Sequence, residues 1–410
     1  MMGISKRLYS ETSIAPLAIL RIAFGAVLLY STLRFLAKGW VAEFYIRPRF
    51  HFGFYGFEWV RPLPAAGMYL VFGVMALAAL FIALGFLYRA AVAVFLLCFV
   101  YVELLDKTYY LNHYYFVSLF VFLLLLVPAN RYWSVDAWLR PAIRVTRVPI
   151  WTLDMLRLQL LLVYLFAGLS KLTADWLFHA EPLRIWLPAQ GLPVWSAYVF
   201  SWCGMLFDLT IGFLLWWRRT RVAAYVLVVL FHLVTAMLFK IGVFPWVMIA
   251  ATLVFFEWRA PEGGVWRPAR MPRVLLGVYF GLQVLLPLRF LFYPGRLLWT
   301  EQGYRFSWRV MLMEKSGTAF FYVHDGARRG EVDNSKFLTS MQERQMATQP
   351  DMILQYAHHL SQVYDGKPVT VESYVTLNGS GSRLYIDSTV DLAGERENLL
   401  PKKWILSFQP

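Results

Sequence analysis

The sequence has few charged residues and few cysteines for its length. Of its 410 residues only 16% are Asp, Glu, Lys or Arg, and only Cys98 and Cys203 are cysteines. Soluble domains carry about a quarter charged residues, so the composition excludes an ordinary soluble enzyme. Both cysteines lie inside apolar runs, which favours packing over a disulfide. No metal-ligand spacing occurs, and we expect no metal site.

We also expect no cleavable signal. The apolar segment after the basic start ISKRLYSETS is long enough to span a membrane and lacks a small-residue cleavage site. The formal net charge of +14 would suit a nucleic-acid partner. However, the basic residues fall in short loops between apolar runs, which is typical of membrane topology, so we expect no nucleic-acid partner.

Hydrophobic residues, by contrast, make up 59% of the chain and aromatic residues 18%. Windows of about 20 apolar residues predict a polytopic α-helical membrane protein with about eight or nine spans, in contact with membrane lipid. The candidate spans lie near Ile14–Leu36, Ala65–Leu87, Ala90–Leu105, Tyr114–Pro128, Trp151–Gly168, Ser196–Trp217, Val222–Phe239, Val243–Phe256 and Val274–Phe292.

Basic residues in the loops predict the orientation, because short basic loops resist translocation. With the N-terminus in the cytoplasm, alternate loops hold most of the basic residues: Lys6, Arg7, Arg89, Arg131, Arg140, Arg144, Arg147, Arg218, Arg219, Arg221, Arg259, Arg267, Arg270 and Arg273. Three polar and aromatic stretches then share the non-cytoplasmic face with the tail. They are DKTYYLNHYY (106–115), KLTADW (171–176) and KIGVFPW (240–246). We expect a functional site there.

The composition changes after Tyr293. TAFFYVHDGARRGEVDNSKF predicts a hairpin around an Asp-Gly turn, and QPDMILQYAHHLSQVYDG predicts a helix. VTVESYVTLNGSGSRLYIDSTV predicts two strands. We therefore divide the chain into a transmembrane domain, residues 1–293, and a C-terminal non-cytoplasmic α+β, β-rich domain, residues 294–410.

Ionisable residues inside the apolar spans each need a reason, since a charge at a helix centre costs about 2.5–3.5 kcal/mol. Arg21 and the pair Asp154 and Arg157 lie close to the cytoplasmic side, where they can snorkel or pair. Asp208 lies nearer to mid-span and needs a partner that the sequence does not identify. A lone residue such as His232 is more often a hydrogen-bonded packing residue than a ligand or base.

Lys171, in VYLFAGLSKLTADWLF (163–178), has two interpretations. In the first, it is an interfacial lysine that reaches water, with Asp175 one turn on as a surface partner. In the second, it is a desolvated amine whose neutral form is favoured and can accept a proton. Gly168 favours burial, because small residues let helices approach closely.

Two further stretches have open interpretations. His113 lies among four tyrosines in DKTYYLNHYY, which is also typical of an aromatic belt at a membrane boundary. The segment TEQGYRFSWRVMLMEKSG (300–317) fits an interfacial strand that docks the tail. It equally fits a lid, in which Arg305 or Arg309 binds an anionic group and Tyr304 and Trp308 form pocket walls.

The chain resembles the vitamin K-dependent γ-glutamyl carboxylase family, including its bacterial members with the HTTM membrane domain. Matching motifs follow one another over nearly the whole chain: DKTYYLNHYY, YWSVDAWL, VYLFAGLSKLTADWL, FHLVTAMLFKIGVFPWVM, GYRFSWRVML and DMILQYAHHLSQ. The resemblance implies an enzyme of the peptidyl-glutamate 4-carboxylase (carbon-carbon lyase) type. Such an enzyme couples epoxidation of vitamin K hydroquinone, a naphthoquinol, to carboxylation of a glutamate in a peptide or protein, using dioxygen and carbon dioxide and no metal.

The resemblance also implies roles for individual residues. Lys171 matches the catalytic lysine that deprotonates the hydroquinone, and His113 matches a histidine needed for activity. Asn112 is expected to hydrogen-bond the quinone oxygens, and His232 lies in a matching motif that lines the cavity. Tyr304 matches the glutamate-binding segment, and Trp308 and Arg309 nearby are expected to bind the substrate with it.

The chain departs from the animal enzymes, which continue well beyond the position of Pro410 and carry a lumenal disulfide without an evident counterpart here. We therefore expect reduced recruitment of protein substrates. Two alternatives stay open: quinol epoxidation without carboxylation, and a non-enzymatic quinone- or lipid-binding membrane protein. The compact chain with few disulfide candidates favours a bacterial inner membrane, with the site on the non-cytoplasmic side.

Overall fold

A computed structural model describes residues 8–258, 262–268 and 271–409. Four residues used to predict the orientation, Lys6, Arg7, Arg259 and Arg270, lie outside the described residues. Each of the nine predicted spans contains an apolar helix: α1 (Ala15–Ala37), α2 (Ala65–Leu84), α3 (Tyr88–Leu105), α4 (Asn112–Leu126), α5 (Trp151–Leu169), α6 (Trp195–Trp216), α7 (Arg221–Leu238), α8 (Phe244–Thr252) and α9 (Arg273–Leu288).

Seven of these helices are long and apolar enough to cross a membrane, while α4 and α8 are shorter. Within the described part of the chain, α5 is the most buried of the seven. In the most apolar 18-residue stretch of α5, 67% is buried inside the protein, whereas in the same kind of stretch of α7 only 22% is buried. A residue at the end of α5 is therefore held inside the helix bundle, whereas most of α7 is free to face lipid.

Helices α5 and α6 approach closely because each presents a glycine to the other. A Cβ on Gly168 would lie 2.7 Å from the backbone nitrogen of Leu209, and one on Gly212 would lie 2.6 Å from the Leu161 side chain. Small residues permit this approach, as the sequence predicts for Gly168. The contact brings the middle of α6 beside the end of α5.

The charged residues at the end of the bundle that is predicted to face the cytoplasm have hydrogen-bond partners within the protein. Arg21 is fully buried and donates to the backbone carbonyls of Ile82 and Ala129 at 2.9 and 3.1 Å, so it caps the end of α2. Arg157 pairs with Asp154 at 3.0 Å and also donates to the Val254 carbonyl. Asp154 and Arg157 therefore pair with each other, which is one of the two possibilities that the sequence leaves open. Arg21 is held by backbone carbonyls and does not snorkel.

The C-terminal region, residues 294–409, contains β3 (Lys315–Asp325), β4 (Arg328–Glu331), α10 (Ser340–Met346), α11 (Pro350–Val363), β5 (Val369–Leu377) and β6 (Arg383–Leu384). Its four strands form an antiparallel sheet in the order β4-β3-β5-β6. The predicted Asp-Gly hairpin, helix and final strand pair are therefore present. The two earlier strands, β1 (Glu11–Ser13) and β2 (Arg147–Pro149), pair with each other.

The sheet does not bury its core alone. Alternate residues of β5, including Val371 and Val375, are fully buried, as expected of a strand with one covered face. Their hydrophobic cluster extends into the helical part and includes Phe52, Trp176 and Met205. The C-terminal region therefore packs on the end of the bundle that carries the α3–α4 and α5–α6 connections.

The glycine contact between α5 and α6 gives a first prediction. Gly168→Ala should destabilise the protein by about 1–3 kcal/mol, since the Leu209 backbone must move to admit the methyl group. The matched control is Gly277→Ala in α9, where no atom lies within 4 Å of an added Cβ. There the better helix propensity of alanine should leave stability unchanged or slightly raised. Thermal unfolding midpoints in detergent measure both, and equal midpoints would contradict close packing at Gly168.

Candidate functional site

A cavity of about 970 Å³ lies between the helices and the C-terminal region. The walls come from the α3–α4 connection, α5, α6, α7, the start of α8 and the segment before β3. All seven residues that the sequence analysis assigns to the site line this one cavity: Asn112, His113, Lys171, His232, Tyr304, Trp308 and Arg309. The structure thus brings together residues that are far apart in the sequence.

Lys171 is buried, and its partner is Asp208. The Lys171 side chain is 8% exposed, and its Nζ lies 2.6 Å from Asp208 Oδ2 on α6. The amine also donates to the Ala167 carbonyl at 3.3 Å and lies 5.3 Å from the centre of the Trp176 ring. An amine held in this way does not reach bulk water. Asp208, which the sequence leaves without a partner, is satisfied by the same contact.

Asp175 does not orient Lys171. Its carboxylate pairs with Arg296, which lies at the start of the C-terminal region. Thr173 caps the short helix Ala174–Leu177 by accepting from the Trp176 backbone nitrogen. The Trp176 indole in turn donates to the Ser201 carbonyl of α6 at 2.8 Å. The turn after α5 is thereby fixed to α6, and Lys171 is fixed with it.

Two histidines lie close to Phe244 at the start of α8. The ring centres of His113 and His232 are each 5.5 Å from that of Phe244. His232 is 1% exposed, and its Nε2 lies 3.1 Å from the Tyr164 hydroxyl. Its Nδ1 has no hydrogen-bond partner among the described residues. A buried ring nitrogen without a partner is a site at which a ligand oxygen can bind.

Asn112 braces the cavity wall. Its side-chain nitrogen donates to the Arg309 carbonyl at 2.8 Å, and its side-chain oxygen accepts from the Tyr110 hydroxyl at 3.0 Å. Tyr110 also accepts from the Phe306 backbone nitrogen at 2.8 Å. The start of α4 therefore holds the segment 304–311. Because one amide hydrogen of Asn112 already bonds to the Arg309 carbonyl, only the second is left for a ligand. Asn112 can therefore donate a single hydrogen bond to a quinone oxygen.

The segment 304–311 has an unusual backbone. Phe306, Trp308 and Met311 adopt positive φ angles of 59°, 60° and 56°. Non-glycine residues rarely take this conformation, which costs on the order of 1–3 kcal/mol each, and such residues concentrate at functional sites. The contacts from Tyr110 and Asn112 hold the segment in place. Trp308, 1% exposed, stacks on Tyr115 with ring centres 5.0 Å apart.

Basic side chains dominate the cavity wall. Two acidic residues, Asp208 and Glu301, face seven basic ones: Arg34, Lys107, Lys171, Lys240, Arg305, Arg309 and Lys315. Four of the basic residues are paired, Lys171 with Asp208, Lys315 with Glu301, and both Lys107 and Arg305 with Asp351. Among the described residues of the cavity wall, the charges left without an opposite partner are therefore all positive. A wall with this charge favours an anionic ligand.

Arg309 is a buried basic residue of this wall with one nitrogen left unpaired among the described residues. It is 8% exposed, its Nε has no hydrogen-bond partner among the described residues, and its guanidinium lies 4.3 Å from the Phe290 ring centre. Burial lowers the pKa of Arg309 below its ordinary value. A carboxylate in the cavity would supply the missing partner. Arg305, in contrast, is already engaged by Asp351 and Gln349 and is not free to bind an anion.

Asp351 joins two walls of the cavity. Its carboxylate lies 2.9 Å from Lys107 in the α3–α4 connection and 2.6 Å from Arg305 in the segment 304–311. It also lies in the first turn of α11, where the helix dipole favours a negative charge. Burial alone would raise the pKa of Asp351, but Arg305 and Lys107 hold it well below its ordinary value.

The sequence analysis missed Tyr164, Phe244 and Asp351. Tyr164 carries a usable signal, since it lies seven residues before Lys171 and so on the same helical face. Phe244 is one aromatic residue among many in its motif. Asp351 looks like an ordinary first-turn helix residue, and its two partners are distant in the chain.

The Asp351 contacts give a second prediction. Among the described residues, Asp351→Asn leaves Lys107, 2% exposed, with Glu397 at 3.9 Å as its one acidic partner. We expect a loss of about 2 kcal/mol, less than for a fully buried pair because Asp351 is 36% exposed and screened. The pKa of Asp351 is lower in the folded protein, so its stabilisation is present above about pH 4 and is lost as pH falls further.

Thermal unfolding at a series of pH values measures this effect. The difference between Asp351→Asn and the wild type should therefore shrink in acid. Asp325→Asn is the control, because Asp325 is 72% exposed and pairs with Lys367 at the surface. Its effect should be within about 1 kcal/mol at every pH. A mutant indistinguishable from this control at neutral pH would contradict the role given to Asp351.

Two family models match the chain along its length. The HTTM domain model matches residues 9–259, more than half of the chain, and the model of the vitamin K-dependent gamma-carboxylase lumenal domain matches residues 269–410. No solved structure matches the chain significantly. The described residues contain no group of three or more His, Cys, Asp or Glu that could hold a metal ion. The two matches follow each other in the order expected from the sequence motifs, and the chain belongs to the vitamin K-dependent gamma-carboxylase family.

Proposed function

We propose that the protein is a vitamin K hydroquinone-dependent gamma-glutamyl carboxylase that couples quinol epoxidation to carboxylation of a glutamate in a peptide or protein. The observation that carries the proposal is the Lys171–Asp208 pair, buried in a cavity whose unpaired charge is positive. We place the protein in a bacterial inner membrane with the cavity on the non-cytoplasmic side. The reaction consumes hydroquinone, dioxygen, carbon dioxide and glutamate, and yields the 2,3-epoxide, the carboxylated glutamate and water.

The first step is removal of a proton from the quinol hydroxyl. At 2.6 Å, Asp208 and Lys171 form a short charge-assisted hydrogen bond, and this bond can pass a proton between them. As Lys171 takes the proton of the quinol, it hands its own to Asp208. The buried pair then holds one additional proton, and the negative charge has moved to the quinol oxygen. Lys171 is the group that contacts the quinol, and Asp208 positions it and receives the displaced proton.

The histidines and Asn112 bind and orient the quinol in this proposal. The ring centres of His113 and His232 both lie 5.5 Å from that of Phe244, so two imidazoles lie near one apolar ring of the cavity wall. Asn112 contributes one amide hydrogen. The oxygenated quinol supplies the base strength needed to remove a glutamate γ-proton, since no side chain is basic enough at neutral pH. The protein contributes positioning and exclusion of water.

The glutamate carboxylate is assigned to Arg309, with Tyr304 and Trp308 as the adjacent walls. Arg309 is buried without an ionic partner among the described residues, and a carboxylate would satisfy its free Nε. Epoxidation without carboxylation is the second candidate. It is favoured by the engagement of Arg305 with Asp351, which leaves the segment 304–311 with a single free guanidinium for the glutamate.

An assay with purified protein tests both candidates. Protein in lipid nanodiscs is incubated with vitamin K hydroquinone, dioxygen, labelled carbon dioxide and a short glutamate peptide. We expect epoxide and labelled peptide from the wild type. Lys171→Ala should lower epoxide formation by about 10²–10⁴-fold, the usual contribution of a general base, and a small exogenous amine should restore part of it.

Lys38→Ala is the matched control, because Lys38 is exposed at the end of α1 and outside the cavity. It should keep full activity. Epoxide without label would favour the epoxidase, and absence of both products would leave the non-enzymatic alternative.

For sidedness, a membrane-impermeant thiol reagent should label Ala327→Cys in intact cells. Labelling only after the cells are broken would reverse the orientation.

The Asp208 assignment gives a separate prediction. Asp208→Asn removes the acceptor of the displaced proton but keeps the shape of the side chain. We expect epoxidation at neutral pH to fall by about 10²-fold or more and to recover as pH rises, because the displaced proton must then pass to the solvent, which accepts it more readily at high pH. A variant with lower activity and an unchanged pH profile would indicate a merely structural role. Asp175→Asn, which breaks only the pair with Arg296, should leave the pH profile unchanged.

A further inference from the structure

The loop 396–403 presents two exposed leucines beside the end of the last apolar helix. Leu399 and Leu400 are 69% and 68% exposed, although most leucines of the C-terminal region are buried. The Tyr293 hydroxyl donates to the Leu399 carbonyl at 2.8 Å. Tyr293 directly follows the 3₁₀ turn Arg289–Phe292 that ends α9. The loop tip is therefore at the level where the last span leaves the apolar layer.

The loop is closed by internal hydrogen bonds. Lys402 Nζ donates to the carbonyl and the side-chain oxygen of Asn398 at 2.9 and 3.0 Å. The Asn398 side chain also accepts from the Leu400 backbone nitrogen at 2.9 Å. Behind the tip, Trp404 is 3% exposed and belongs to the hydrophobic cluster of the sheet. The two leucines are thus held outward by a closed loop.

The inner side of the loop connects to the cavity wall. Glu397 lies 3.9 Å from Lys107, the residue that Asp351 also holds, and Glu397 accepts from Gln355 of α11. One side of this short loop therefore contacts the Lys107–Asp351 pair, and the other side presents Leu399 and Leu400.

The surface next to the tip is already apolar. Leu291 and Phe292 are 69% and 82% exposed at the end of the last span, where lipid is the expected neighbour. Leu399 and Leu400 extend this surface onto the C-terminal region. The exposed Lys403 follows at the position where anionic lipid headgroups attract basic side chains. The continuity with the lipid-facing end of α9 identifies the occupant as the bilayer.

We propose that the loop 396–403 is a membrane anchor of the C-terminal region. Leu399 and Leu400 insert among the lipid acyl chains at the interface, to a depth of about 5–10 Å, and Lys403 faces the headgroups. The anchor keeps the C-terminal region seated over the cavity. The proposal does not depend on the reaction that the cavity performs.

The experiment measures contact with lipid directly. In full-length protein from which Cys98 and Cys203 are removed by substitution, a single cysteine is placed at Leu400, Phe292 or Ala327 and labelled with bimane. Each sample is reconstituted as one copy per nanodisc of phosphatidylcholine and phosphatidylglycerol, with and without a quencher on the acyl chain. Phe292 is the positive control at the end of the last span.

Ala327 is the negative control because it is exposed in the turn after β3, an 11-residue strand. The strand begins at Lys315, which bonds to Glu301 near the last span, and an extended strand of this length reaches about 35 Å. We expect the label at Leu400 to be quenched like that at Phe292. Quenching no greater than at Ala327 overturns the proposal, including the case in which another copy of the chain covers the loop.

A second measurement uses the charge. Lys403→Glu in the Leu400→Cys protein should reduce quenching in nanodiscs with phosphatidylglycerol and should change it less in phosphatidylcholine alone, since the attraction to anionic headgroups is lost. Equal quenching of this variant and its parent in both lipids would overturn the headgroup contact. Both residues are exposed, so neither change removes a buried contact.

Discussion

The buried pair of Lys171 and Asp208 is the interaction on which the rest of the site depends. Neither charge is stable alone in this environment, because desolvation costs several kcal/mol for each ion and is offset only when the geometry is good. The glycines on α5 and α6 supply that geometry by letting the helices meet at backbone contact. Trp176 and Ala167 complete the surroundings of the amine. A structure that kept the fold but separated these helices slightly would lose the pair.

The C-terminal region completes the site and does not only cover it. Its first segment supplies Tyr304, Trp308 and Arg309, and α11 supplies Asp351, which holds residues from two different walls. The hydrophobic cluster that the sheet shares with the ends of the helices also joins the two parts of the chain at the cavity. Neither part of the chain presents a finished cavity by itself. The division of the family into an HTTM domain and a lumenal domain therefore describes sequence units that meet at one site.

Local patterns were sufficient to predict the nine apolar helices, α11 and the strands of the C-terminal sheet, but not α10 or the β1–β2 pair. Apolar runs gave the helices, and the Asp-Gly and Asn-Gly turns gave the strand pairs, because these features depend on neighbouring residues. Gly168 gave a correct hint of close packing. The pairing of Lys171 with Asp208 could not be predicted, since the two residues are 37 positions apart and several acids were equally available. The left-handed backbone at Phe306, Trp308 and Met311 gave no signal either, because tertiary contacts impose it on residues that do not prefer it.

The left-handed segment has a consequence for the order in which the protein becomes competent. Phe306, Trp308 and Met311 hold their conformation only while Tyr110 and Asn112 bind the segment from one side and Asp351 holds Arg305 from the other. A newly made chain reaches α4 long before it reaches α11, so the segment has no stable form until nearly the whole chain has been made. The wall that is assigned to the glutamate therefore forms last. A half-finished molecule therefore lacks this wall and, under the proposed function, cannot bind the glutamate.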